Sequence, residues 1–160
     1  MDEQLRAFLG TIYGEAAQAS PATWKAIASV IMNRVGKREW RKLTTPLRVI
    51  ACSGFDAFTR QNAPFHVAYT YFGNDPQVAP WSPLERLRTS VLPIYEKREP
   101  VTTDAQLYYS PKALAELHRR SPQIWPARPR WHFDLLEPAI IPGTETDDFI
   151  FFRYLNTVAV

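Results

Sequence analysis

"TIYGEAAQASP", Thr11 to Pro21, decides how this chain is read. Before it, Leu5, Phe8, Leu9, Ile12 and Ala16 recur at the spacing of a helix with one apolar face. That predicts a helix from about Asp2 to Ala17. After it, Ser20 offers a capping hydroxyl, and Pro21 suits the first helical position, where its missing N–H would be unpaired anyway. The stretch is a corner between two helices, and it carries Glu15 next to Gly14.

On a wheel of about 100° per residue, Glu15 falls near Phe8, at the edge of the apolar stripe. Burial and the negative end of the helix dipole would both disfavour its ionised form and raise its pKa. A carboxylic acid still protonated near neutral pH can protonate a glycosidic oxygen. Gly14 is expected to leave open space beside it for a substrate. The plainer reading is a boundary glutamate that reaches solvent or pairs with Lys25 or Arg34.

The second helix continues "ATWKAIASVIMNRV", with Trp24, Ile27, Ala28, Ile31 and Val35 on one face, and Gly36 closes it. "TTPLRVIA" repeats the cap-then-proline signature for a short helix near Leu47. "CSGFDAFTRQNAP" reads as loop. "SPLERLRTSVLPIYEK" opens with a capping box of Ser82 and Glu85, and Pro93 predicts a kink or break. "AQLYYS" reads as a short extended segment, "SPKALAELHRR" as a helix, "SPQIWPARPRW" as irregular and "DFIFFRYL" as a strand. The expected fold class is α+β, mainly α, with a small late β region, in a single domain over residues 1–160.

With 160 residues, 46% hydrophobic and 22% charged, the chain suits one globular domain with its own core. It has no apolar run long enough to span a membrane and no basic, apolar start of a signal peptide. One cysteine, Cys52, excludes an internal disulfide. The three histidines, His66, His118 and His132, lack metal-site spacing, so neither metal nor cofactor is expected. The net charge of +3 suits a mildly basic protein or one drawn to a polyanion. The basic cluster "GKREWRK", Gly36 to Lys42, follows a helix end, where cations complement the dipole, so nucleic-acid binding is not expected.

"IYGEAAQASPATWKAIASVIMNRV", Ile12 to Val35, resembles the opening of the SleB-type cell-wall hydrolases. Tyr13-Gly14-Glu15-Ala16 matches the aromatic–Gly–Glu–Ala signature. Ala26, Ala28, Val30, Ile31, Asn33, Arg34 and Val35 match the helix that follows. "FDAFT" (Phe55–Thr59), "AQLYYSP" (Ala105–Pro111) and "FIFFR" (Phe149–Arg153) resemble later family stretches, in the same order. The resemblance implies a lysozyme-like fold acting on peptidoglycan, between MurNAc and GlcNAc, with Glu15 as the catalytic acid. It implies that Thr59, Tyr108 and Tyr109 line the cleft. Phe58 and Asp56 are further substrate-contact candidates, and Asn33 and Arg34 are assigned to the scaffold. The family's frequent second acid is replaced by Ala17, Gln18 and Ala19.

Glycosidases normally use two carboxylates. Asp56 is the candidate for the second. Without it, Glu15 acts as acid and then base, and the sugar's 6-hydroxyl attacks to give a 1,6-anhydro product, as in a lytic transglycosylase; with it, the product is that of a muramidase. Delivery to the wall is expected to bypass a standard signal, through phage lysis or an injected effector. Two alternatives stand. "CSGF" resembles the cysteine motif of NlpC-type peptidases and "HVAYTYFGND" their histidine strand, which would make Cys52 a nucleophile and His66 its base. Ala51 stands where those enzymes place Asp. The other alternative is a non-catalytic wall-binding module.

Overall fold

The computed structural model describes residues 1–74 and 82–155. Seven α-helices lie among them: α1 (Glu3–Ala16), α2 (Pro21–Arg34), α3 (Pro46–Cys52), α4 (Asp56–Arg60), α5 (Ala63–Gly73), α6 (Pro83–Tyr95) and α7 (Pro111–Arg120). Three short strands follow late in the chain: β1 (Leu107–Tyr109), β2 (Leu136–Pro138) and β3 (Ile150–Tyr154). The class is mainly helical α+β, as the sequence implies.

The helix starts obey local chemistry. Asp2 caps α1 by accepting from the Leu5 N–H, and Ser20 caps α2 by accepting from that of Thr23. Thr45 and Ser110 cap α3 and α7 in the same way, each followed by proline. Gly36, at φ +74°, closes α2 in the left-handed conformation that favours glycine. The capping box expected at Ser82 does not form. Its side chain makes no capping bond, and Glu85 pairs with Arg88 one turn on. α6 runs through Pro93 and ends two residues after it.

"CSGFDAFTRQNAP" is not loop throughout. It holds α4 and launches α5, whose start repeats the cap-then-proline chemistry with asparagine: Asn62 Oδ1 accepts from Phe65 N–H, and Pro64 sits in the first turn. Phe65, Ala68 and Phe72 supply the buried face of α5.

α2 is buried on most sides, with Trp24, Ala26, Ile27, Ala28, Val30 and Ile31 all inside. Phe8, Leu9 and Ile12 of α1 pack on it, with Val49 and Ile50 of α3 and Leu87, Val91 and Ile94 of α6. The antiparallel sheet has the order β1-β3-β2. Leu107 pairs with Phe152, Tyr108 with Phe151 and Tyr109 with Ile150. Alternation sends neighbouring residues to opposite faces. Tyr108 and Phe151 join the helical core, while Leu107, Tyr109, Phe152 and Leu136 form a second cluster under Trp131 and Phe133.

One clip ties the end of the chain to its beginning. Asp147 Oδ2 accepts from Ser20 N (3.0 Å), Ser20 Oγ (2.7 Å) and Thr23 Oγ1. Burial pushes the Asp147 carboxyl up, but these three donors outweigh it and hold it below the usual aspartate value. No helix among the described residues is long and apolar enough to cross a membrane.

Candidate active site

Glu15 sits in the last turn of α1. Its carboxylate is held from two sides by segments far along the chain. The Ala57 N–H, in the first turn of α4, donates to Oε1 at 3.1 Å, and the Tyr108 hydroxyl donates to Oε2 at 3.0 Å. Burial is the largest influence on the carboxyl and raises it above the usual glutamate value. The two hydrogen bonds and the charge of Arg34 pull the other way, and the Asp56 charge adds to the rise. Tyr108 is itself pushed well above the ordinary phenol value, first by burial and then by the Glu15 charge, so its proton stays available for donation.

Tyr108 is fixed by packing. Its ring lies 5.6 Å from Phe151, 5.9 Å from Phe149 and 6.3 Å from Phe55, centre to centre. Such aromatic contacts add to area burial and restrict the hydroxyl's direction.

Gly14 does not leave an approach for substrate. A Cβ there would meet Ala57 Cβ at 2.7 Å, Asn62 Oδ1 at 2.8 Å and Phe65 Cβ at 3.1 Å. Asn62 Nδ2 also donates to the Gly14 carbonyl at 2.9 Å. The glycine lets the α4–α5 junction close onto α1, and that approach brings the Ala57 N–H to Glu15.

The open space lies on the other side. A cleft of about 460 Å³ is lined by Glu15, Asp56, Tyr108 and Tyr109 among the expected residues. Thr59 and Phe58 are not in it. The Thr59 hydroxyl turns back to the Phe55 carbonyl at 3.3 Å, and the Phe58 ring packs edge-on to Phe65 at 5.8 Å. Asp56 is exposed, with no side-chain hydrogen bond or ion pair among the described residues.

The cleft also has walls that the sequence did not announce. Ala113, Leu114 and Leu117 of α7 form one side, with Trp125, Pro126 and Trp131 of the proline-rich segment. His118 Nδ1 and the Trp125 carbonyl lie 2.7 Å apart, and the Arg60 guanidinium sits 4.8 Å from the Trp125 ring centre. The segment is irregular, as expected, and forms part of the cleft wall. Its tryptophan and proline content was the available signal.

Asn33 bonds the backbone, as a scaffold residue would: Nδ2 donates to the Thr103 and Ala105 carbonyls, each at 2.8 Å. Arg34, given the same assignment, also lines the cleft. Trp40 of the basic cluster is bound inward, with Nε1 donating to Gln106 Oε1 at 2.9 Å.

Cys52 is exposed at the last position of α3, at the C-terminal and not the N-terminal end of a helix. Neither Cys52 nor His66 lines the cleft, and His66 lies in α5, not on a strand. Asp75, the last residue of the histidine stretch, lies outside the described residues. No group of three His, Cys, Asp or Glu able to hold a metal ion occurs among the described residues.

Comparison of the chain with protein-family models, with curated proteins and with solved structures returned no match in any of the three.

Proposed function

We propose that this protein cleaves the glycan strand of peptidoglycan between MurNAc and GlcNAc, with Glu15 as general acid and then base on a lysozyme-like fold. The observation that carries the reading is the Glu15 carboxyl itself. It is desolvated and raised, gripped by the Ala57 N–H and the Tyr108 hydroxyl, and opens onto an aromatic cleft. Aromatic faces suit sugar rings, and the ordered resemblances to SleB-type hydrolases point to the same substrate.

Glu15 donates its proton to the bridging oxygen as the bond from MurNAc C1 to that oxygen breaks. The carboxylate left behind is stabilised by its two donors. It then takes the proton from the 6-hydroxyl of the same MurNAc as that oxygen bonds to C1, giving a 1,6-anhydro end and regenerating the acid. No water is consumed. Asp56 favours a second outcome, because an unpaired carboxylate facing the cleft can activate water or act as a nucleophile.

Mass spectrometry of sacculi digested by wild-type and Glu15→Gln protein tests the proposal. Anhydro ends are expected from the wild type and no cleavage from the variant. Only water-added ends would replace transglycosylation by hydrolysis. Absence of cleavage by wild type, or equal cleavage by Glu15→Gln, would refute the reading. Cysteine-peptidase activity would instead appear as cut peptide stems lost in Cys52→Ser.

A further inference from the structure

Arg34 is a buried cation with no counter-ion among the described residues. It is 5% exposed, in the last turn of α2. Nε donates to the Gln106 carbonyl at 2.7 Å, and Nη1 donates to the Ser53 carbonyl at 2.7 Å and to Ser53 Oγ at 3.1 Å. All three acceptors are neutral. The guanidinium lies 3.8 Å from the Trp40 ring centre and 4.9 Å from that of Phe55. No carboxylate pairs with it among the described residues, and Nη2, which has no acceptor there, is not a buried orphan but keeps some exposure. Buried charges are normally paired, because an isolated one is expensive. Burial accordingly depresses Arg34 to about 10, which still leaves it charged at neutral pH.

Its bonds hold the two segments that grip Glu15. Gln106 precedes Tyr108 by two residues, and Ser53 opens the turn through Gly54 and Phe55 into Asp56 and Ala57. Gln106 is anchored further by Phe152 O and by Trp40 Nε1. Arg34 therefore fixes the entries to both hydrogen-bond donors while lining the same cleft.

We propose that Arg34 is a positioning residue for Glu15. It aligns the Ala57 and Tyr108 donors, and its charge stabilises the Glu15 carboxylate formed when the proton leaves. The charged and titratable groups around the carboxylate are Asp56 from α4, Tyr108 from β1 and Arg34 from α2. Tyr154 from β3 faces Arg34, with Glu39 beyond it. Arg130 also lines the cleft. Arg34 is the cation acting on Glu15, opposed by the charge of Asp56. When Glu15 ionises, Arg34 counters part of the rise that burial and Asp56 impose on it.

The mechanism in this proposal rests on the glycan-cleavage reading, so the test has a readout independent of activity. Carboxyl carbon NMR follows the Glu15 titration in wild type, Arg34→Lys and Arg34→Met. Removing the cation and its bonds disfavours ionised Glu15, so its midpoint should rise in Arg34→Met and rise less in Arg34→Lys, which keeps the charge but not the paired bonds. The alkaline limb of the rate profile should move up by the same amount in Arg34→Met, with a lower plateau. If Arg34→Met does not fold, the wild type suffices. The Arg34 Nε–H signal should titrate with the Glu15 midpoint and lose that step in Glu15→Gln. An unmoved midpoint in Arg34→Met, or an Nε–H signal blind to Glu15, overturns the proposal, whether or not glycan is cleaved. A moved midpoint without any cleavage by wild type would keep the electrostatic role and overturn the catalytic reading.

Discussion

Replacing Gly14 by alanine tests how Glu15 is held. The new Cβ would lie 2.7 Å from Ala57 Cβ, 2.8 Å from Asn62 Oδ1 and 3.1 Å from Phe65 Cβ. Two of these neighbours are rooted directly on backbone. The third is pinned, because Asn62 caps α5 and bonds the Gly14 carbonyl. Relief must come from moving α4 and α5 away from α1, and overpacking of this kind costs about 1–3 kcal/mol. Against it stands the gain from replacing glycine inside a helix, about 1 kcal/mol. The net expectation is a destabilisation of about 1 kcal/mol, or roughly 2–4 °C in Tm for a chain of this size. Activity should fall further than stability, because α4 carries the Ala57 N–H away from Glu15. Losing a hydrogen bond to a charged group costs about 1.5–3 kcal/mol, a drop of roughly 10- to 100-fold in kcat. Urea denaturation and glycan release, measured on the same preparations, supply both numbers. Adding Ala57→Gly removes the closest neighbour, so the double variant should be more stable than the sum of the singles. A Gly14→Ala protein as stable as wild type, or more so, would refute the close-packing argument.

Four other outcomes follow from the same geometry. Burial raises Glu15, so the folded state binds that proton more tightly than the unfolded chain does, and the associated stability is lost as pH rises through the raised value. Thermal melts should therefore show Glu15→Gln gaining on wild type from acid to neutral pH; a constant difference would contradict this. Tyr108→Phe keeps the ring but removes a donor that favours ionised Glu15, so the alkaline limb of activity should move up and kcat fall roughly 10-fold, with little change in Tm. Asp147→Ala strips three bonds from the start of α2 and should cost about 1–2 kcal/mol in urea titration. Because Asp147 is held low, that loss should shrink as pH falls through its range. Cys52→Ser, at an exposed site outside the cleft, should leave glycan cleavage and Tm unchanged.

The helices with cap-then-proline starts were legible because their chemistry is local. Ser20-Pro21, Thr45-Pro46 and Ser110-Pro111 each satisfy an orphan N–H within three residues. The same signal was present at Asn62-Ala63-Pro64, and reading the stretch as loop missed it because the proline sits one place later. Ser82 shows the opposite failure, since a matching pattern was outbid by the Glu85–Arg88 pair. The strand at 107–109 was readable from its aromatic run. β2 was not, because Leu136–Pro138 is three residues long and exists only by pairing with β3. The clip from Asp147 to Ser20 spans 127 residues, and no window along the chain contains it.

For Glu15, the wheel position favoured a surface glutamate, and the plain reading offered Lys25 or Arg34 as ion-pair partners. Neither pairs with it among the described residues. The contacts that make the carboxyl unusual come from Ala57 and Tyr108, 42 and 93 residues away. Helical periodicity could place Glu15 at an edge, but could not say what would cover that edge. Arg34 completes the point. Its position in α2 marked it as scaffold, and its bonds are those of scaffold. Yet the acceptors it meets among the described residues are all neutral, and it lines the same cleft as the carboxyl. A residue that organises backbone can thereby also bear on the electrostatics of a site, through a charge that no carboxylate among the described residues pairs with.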